Sequence, residues 1–244
     1  MDFDERKGVR QLSFSSIAVI IAAYNEEVGI GPTLAELREV LNEPFYLVAD
    51  GNSTDRTVEI AKELGADVFV QEGRGKGNAI SQAIDHIHYD PEYVVLTDAD
   101  FTYPAKHVLD MIRILEEKPN VGMVTGNRFN HLLTVAAMKN PFYVGNRLLA
   151  VTQRVLNGVD MNDPLTGLRV VRWEILKGWK PKSKGFDIEA ELNHQVERRG
   201  YQIVEVSIPY RKRLGEKKLK LRHGLSILMR IVEESFRYNI ELFE

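Results

Sequence analysis

The chain has 244 residues, 44% hydrophobic and 27% charged, with a formal net charge of -3. That length supports a sizeable buried core, and the absence of cysteine excludes disulfides and thiolate metal sites while fitting a reducing, cytoplasmic compartment. No run of eighteen apolar residues occurs, so no membrane span is expected.

Residues 1–16 read as a polar N-terminal segment. Ile17–Ala23 follows as an apolar strand too short for a signal core. Helical periodicity runs from Ile30 to Leu41, then Phe45–Ala49 is a second strand. A second helix spans Asp55–Leu64, opened by the capping types Ser53, Thr54 and Asp55. Asp67–Val70 is a third strand and Gly77–Ile87 a third helix. Tyr93–Thr97 is the next strand, and a helix starts near Pro104, a residue favoured at the first helical position. Val121–Thr125 completes a βαβα alternation that predicts an α/β fold, a mostly parallel sheet with helices on both faces.

Beyond residue 126 the alternation loosens. Pro141–Leu156 reads as helix, Leu168–Val171 as a short strand, and Ile188–Arg199 as a helix stopped by Gly200. Gln202–Ile208 is a strand ended by Pro209. From His223 to Phe243 apolar residues recur on one face of a last, amphipathic helix. The expected organisation is one folded domain over 17–222, with halves 17–126 and 127–222, followed by the helix 223–244.

Asp98-Ala99-Asp100 directly follows the Tyr93–Thr97 strand. Carboxylates at i and i+2 of extended chain share a face and can approach one hard cation, Mg²⁺ or Mn²⁺, with phosphate oxygens completing its shell. The carboxyl ends of such strands form the ligand crevice of open α/β sheets. The first strand ends in Ala22-Ala23-Tyr24-Asn25-Glu26-Glu27, with donors and acceptors suited to a base or ribose. The second ends in Asp50-Gly51-Asn52-Ser53-Thr54-Asp55, where Asp50 stands at ribose or base distance. Gly73-Arg74-Gly75-Lys76-Gly77-Asn78 matches neither dinucleotide nor P-loop spacing, yet its glycines, its cations and the helix it opens suit an anion.

In combination, Ala22–Glu27, Asp50–Thr57, Gly75–Ala79, Asp98–Asp100 and Asp163-Pro164-Leu165-Thr166-Gly167-Leu168-Arg169 resemble glycosyltransferase family 2, the enzymes with the Rossmann-like GT-A fold. The match runs from Ile17 to Leu221 and is nearest to the dolichyl-phosphate mannose and glucose synthases. The resemblance implies that Ala22, Tyr24, Glu26, Asp50 and Lys76 bind the nucleotide-sugar donor, and that Asp98 and Asp100 ligate Mg²⁺ or Mn²⁺. Many mannose synthases carry Gln where Thr102 stands; this departure favours UDP-glucose over GDP-mannose as donor. Arg128 and Arg147 fall in regions that hold a lipid phosphate or the donor, and Asp163 in one that meets sugar hydroxyls or the acceptor. Arg169 suits a structural ion pair equally. Asp187 matches the segment where other members keep a catalytic base. It shares a helix face with Glu191, while Glu189 points elsewhere.

Between Arg211 and Arg222 lie seven Lys or Arg residues and one acid, Glu216. By resemblance this is the basic loop that closes over the donor diphosphate, with Arg211 and Arg213 as ligands and Lys217 where Ser is frequent. The expected reaction is metal-dependent, inverting transfer of a hexose to a polyprenyl or dolichyl phosphate, with Asp100, Arg213 and Asp187 as catalytic residues. The alternatives are a soluble or saccharide hydroxyl acceptor with Asp187 as base, or a sugar-nucleotide binding protein without turnover. No nucleic-acid motif accompanies the basic patch. Leu225, Leu228, Ile231, Val232 and Phe236, flanked by Arg222, Arg230 and Arg237, suit peripheral contact with a membrane, at its cytoplasmic face.

Overall fold

The computed structural model describes residues 16–41, 44–129 and 140–241, with side chains to residue 236. The polar segment before Ser16, the Arg237 side chain and the helix end at Phe243 lie outside the described residues.

Seven strands form one sheet: β1 (Ile17–Ala23), β2 (Phe45–Asp50), β3 (Asp67–Val70), β4 (Tyr93–Asp98), β5 (Val121–Asn127), β6 (Arg169–Arg172) and β7 (Gln202–Ser207). Their spatial order is β3-β2-β1-β4-β6-β5-β7. β6 is antiparallel to both neighbours, β4 and β5, and the other pairings are parallel. The carboxyl ends of β1, β2, β4, β5 and β7 therefore gather on one edge, joined there by the start of β6. Both halves of the chain contribute strands to this sheet.

Strand alternation divides the core. Val19, Ile21, Val48 and Val95 face α1 (Ile30–Val40) and α4 (Val108–Glu117). Ala18, Ile20, Leu47, Val94 and Leu96 face the opposite layer, with α3 (Lys76–Asp85) and α6 (Ile188–Arg198). Full burial on both faces explains why these strands read as continuous apolar runs. The helix α2 (Thr57–Glu63) begins two residues later than its sequence suggested, because Asp55 lies in the turn before it, where its Oδ1 accepts from Thr57 N at 3.0 Å.

α5 (Pro141–Asn157) is capped by Asn140, whose Oδ1 accepts from Phe142 N at 3.0 Å, and it ends at the left-handed Gly158. It packs beside α7 (His223–Glu241) over a small cluster of Leu149, Ala190, Ile227 and Ile231. A single helical turn, Trp173–Leu176, follows β6 and has no separate signal in the sequence. Among the described residues no helix is long and apolar enough to cross a membrane.

Candidate active site

The register aligns Ala22 with Asp98 and Ala23 with Asp50, so the three strand ends meet in one row. Beyond β4 the chain turns sharply: Phe101 adopts φ +64°, a conformation rarely taken by a bulky residue. Thr33 of α1 holds this turn, its hydroxyl accepting from Phe101 N at 3.1 Å and donating to Ala99 O at 3.3 Å. Thr102 donates to Asp100 Oδ1 from its backbone at 3.0 Å and from its hydroxyl at 2.5 Å. Its hydroxyl is thus committed to orienting Asp100.

Two cations face the acidic pair. Lys76 Nζ lies 2.6 Å from Asp98 Oδ1 and 2.6 Å from Glu189 Oε1. Burial works against the ammonium, but these two carboxylates outweigh it and hold its pKa above the usual lysine value. Arg213 Nη2 reaches Asp100 Oδ2 at 2.9 Å and Glu26 Oε1 at 2.6 Å. Asp100 is raised by burial and then by repulsion from Asp98, with Arg213 opposing. Burial pushes the Glu26 carboxyl up to about 7, against the attraction of Arg213, and its Oε2 is buried without a partner. Carboxylate oxygens are the donors a hard divalent cation takes, although among the described residues no group of three or more acidic or histidine side chains gathers to hold one. Asp98 and Asp100 are the two that share a face and a strand end.

Tyr24, Ala22 and Lys76 line a cleft of about 1500 Å³ along this edge, as do Asp98, Asp100 and Arg213. Asp50 sits beneath it, 1% exposed, and accepts from Ser53 N at 2.9 Å and Ser53 Oγ at 2.5 Å. The carboxylate shapes the loop at the cleft floor.

The glycine-rich turn serves packing. Gly77 N donates to Gly185 O and Asn78 N to Lys184 O, both at 3.1 Å, so those amides at the amino end of α3 are already paired. A Cβ at Gly75 or Gly77 would strike the carbonyl of Lys184 or Ser183, and Gly75 has φ +104°. These glycines let the 183–185 segment close on α3, which fixes Lys76 in the cleft. Gly73, Arg74, Gly75 and Lys76 of the expected anion-facing turn line the cleft, while the amides of Gly77 and Asn78 are taken by this strap.

The second half adds Arg128 and Lys217 to the cations that line the cleft. Arg128, after β5, is gripped by Asp163 through Nε and Nη2, both at 2.7 Å, and its Nη1 lies 3.4 Å from Tyr103 Oη. Asp163 is fully buried and also accepts from Arg128 N and Asn146 Nδ2 at 3.1 and 3.0 Å. Its oxygens are therefore spent on aiming Arg128. Lys217 Nζ stands 2.9 Å over the Phe142 ring. Burial lowers its pKa, with Arg128 and Arg213 adding to the effect.

Three expected site residues, Arg147, Asp187 and Arg211, lie outside the cleft lining, and Arg169 has a structural role. Arg147 turns to Asn162 Oδ1 at 3.2 Å, outside the cleft. Arg169 is buried and donates to Thr166 O, Pro164 O and Asn193 Oδ1, a loop-holding role. Asp187 accepts from Gly185 N at 3.1 Å and pairs with Arg230 of α7 at 3.5 Å. Glu191 joins the same arginine at 3.7 Å, so the face they share meets α7 and leaves Glu189 to the cleft. Arg211 binds Glu36 of α1 at 2.7 and 2.5 Å, which leaves Arg213 as the arginine of this segment that meets Asp100. Sequence reasoning missed Glu189, Tyr103 and Tyr210; Glu189 sits in the segment already singled out, midway between Asp187 and Glu191 on the opposite face.

The glycosyl transferase family 2 model matches residues 18–176. A dolichyl-phosphate hexose transferase of Haloferax volcanii is 34% identical over 93% of this chain and 99% of its own. Glycosyltransferase AglJ of the same organism is 34% identical over 80% of this chain and 63% of its own. Among solved structures, glucosyl-3-phosphoglycerate synthase from Mycobacterium tuberculosis, in complex with Mn²⁺, UDP-glucose and phosphoglyceric acid, superimposes with TM-score 0.72. It is 20% identical and covers 91% of this chain and 80% of that one, a likeness of fold. The mostly parallel sheet is thus the GT-A sheet, and the chain belongs to glycosyl transferase family 2.

Proposed function

We propose that this glycosyltransferase moves a hexose from a nucleotide-diphospho-sugar of the UDP-glucose or GDP-mannose type to a polyprenyl or dolichyl phosphate, with inversion. The observation that carries this reading is the mixed lining of the cleft. Lys76, Asp98, Asp100 and Arg213 line it together with Leu149 of α5, Ile227 of α7 and Leu221. Arg128 and Lys217 line it too, and a phosphate with an apolar tail would find both cations and apolar side chains there. The dolichyl-phosphate hexose transferase similar over nearly the whole chain supports the same acceptor class.

Asp98 and Asp100 would hold Mg²⁺ or Mn²⁺, which neutralises the charge of a departing nucleoside diphosphate. Arg213, anchored by Glu26, adds a fixed guanidinium on the same side, and Lys76 adds an ammonium set by Glu189. Asp163 takes the Nε–Nη2 edge of Arg128 and so fixes the direction of the guanidinium, whose Nη1 side is the one offered to the acceptor phosphate. A phosphate oxygen is already anionic near neutral pH, so the acceptor needs no general base. Asp187, bound to Arg230 and outside the cleft, gives no support to a hydroxyl acceptor activated there.

The outer faces of α5 and α7 carry exposed Val144, Leu148, Val151 and Val155, and Leu225 and Met229. Apolar stripes on two helices that pack side by side suit peripheral seating on a membrane, at the cytoplasmic face. The test is a donor screen with a short polyprenyl phosphate, Mg²⁺ or Mn²⁺, and Asp100→Ala as control. Product from one donor, lost in the control, is the expected result. Slow donor hydrolysis with no lipid product would overturn the acceptor and leave the donor site standing.

A further inference from the structure

The segment after β7 is sewn onto the Asp98–Asp100 turn. Arg211 N donates to Thr102 O and Leu214 N to Asp100 O, both at 3.1 Å. Between these two bonds the side chains diverge. Arg213 turns inward to Asp100 and Glu26, while Arg211 turns outward to α1.

Arg211 is held on two sides. Its Nη1 and Nη2 each donate to one oxygen of Glu36, at 2.7 and 2.5 Å, the paired geometry that a planar guanidinium allows. Its Cζ lies 4.4 Å from the centroid of the Phe101 ring. Phe101 is the left-handed residue of the turn that Thr33, also on α1, holds by its hydroxyl. One helix thus grips the acidic turn through Thr33 and the basic loop through Glu36, with Phe101 packed between.

We propose that Glu36 and Arg211 form a latch that keeps the loop closed over the acidic turn and so aims Arg213 at the donor diphosphate. This rests on reading the cleft as a nucleotide-sugar site. Neither side chain lines the cleft, so the pair acts through Arg213 as positioning residues. The side chains are 31% and 21% exposed, so water competes for the pair and the latch can open for donor entry and product release. A lysine at 211 would lack both the fork and the flat face that stacks on Phe101.

The test compares Glu36→Gln, Glu36→Arg, Arg211→Glu and the double variant Glu36→Arg/Arg211→Glu, none of which alters the Arg213–Leu214 bond. Trypsin cleavage after Arg213 is timed on the protein alone, and UDP and GDP binding with Mn²⁺ is measured by calorimetry. Glu36→Arg should speed cleavage about tenfold and weaken nucleotide binding about tenfold, with the thermal midpoint within a few degrees of wild type. Glu36→Gln should fall between, and the double variant should regain protection and binding because the charges pair again. Wild-type cleavage and binding in Glu36→Arg, or a double variant no better than either single one, would overturn the latch. If wild type binds neither UDP nor GDP, the donor-site reading fails instead, and the cleavage series still decides the latch.

Discussion

Lys76 and Asp98 lie 2.6 Å apart and join the first turn of α3 to the last residue of β4. The same ammonium, 15% exposed, also holds Glu189 of α6, so a single cation ties three elements together at the cleft.

Lys76→Met should therefore leave two carboxylates facing each other without a counter-charge. Breaking a buried ionic cluster of this kind costs about 3 kcal/mol or more, readable as a lower urea midpoint. Transfer activity should fall by about a hundredfold or more, because Asp98 loses its fixed position. A Lys76→Met protein with unchanged stability would mean that the cluster contributes little to the fold.

Arg128→Lys keeps the charge and loses the fork. The expected result is an acceptor KM raised about tenfold, with UDP or GDP affinity unchanged, since Asp163 rather than the acidic pair holds Arg128. Equal losses for donor and acceptor would place Arg128 with the donor instead.

Glu26 makes stability depend on pH. Burial raises its carboxyl to about 7 from an ordinary 4.5, against Arg213 and with help from Asp100. A value higher in the folded than in the unfolded chain means that the fold favours the protonated acid. Its stabilising contribution is complete below about 4.5 and fades as pH rises through about 7. Relative to Glu26→Gln, donor-free protein should lose about 3 kcal/mol across that window in urea titrations. Parallel pH profiles would show that Glu26 titrates normally.

Much of this was legible in the sequence for a physical reason. Strands buried on both faces must be apolar throughout, so β1, β2, β4 and β5 announced themselves, and each polar residue at a strand end marked the ligand edge. Asp98, Asp100, Lys76 and Arg128 are found there. What sequence does not carry is which partner captures a charged side chain. Arg211 and Arg213 are equivalent as letters, yet Glu36 stands near one and Glu26 near the other. In the same way Asp187 and Glu189 are two residues apart, which places them on opposite sides of the helical path and turns one to Arg230 and the other to Lys76. The strap at 183–185 was illegible because its contacts are backbone carbonyls, which any sequence has.

Asp187→Asn separates the acceptor classes. Transfer to a polyprenyl phosphate should stay within a few-fold of wild type, because the side chain meets Arg230 and Gly185 rather than the cleft. Near-complete loss of turnover with intact donor binding would restore Asp187 as a base and count against a phosphate acceptor.

Leu148 and Leu225 are 64% and 67% exposed on α5 and α7. Leu148→Glu/Leu225→Glu should leave folding intact and abolish flotation with vesicles containing anionic lipid. Water-soluble short-chain acceptors should still be used, and unchanged flotation would remove these two faces as the membrane contact.

The placement of β6 between β4 and β5 has a consequence for the chain as it leaves the ribosome. β4 receives its second neighbour only when residues 169–172 arrive, pairing Leu96 with Arg169 and Tyr93 with Arg172. Until then the strand that carries the acidic pair has an open apolar edge, the kind that recruits other chains. A fragment stopped at residue 126 would carry the whole set of donor-side strand ends and still lack the partner that closes the sheet. Such a fragment should pellet on centrifugation, whereas one extended through β7 should remain in the supernatant.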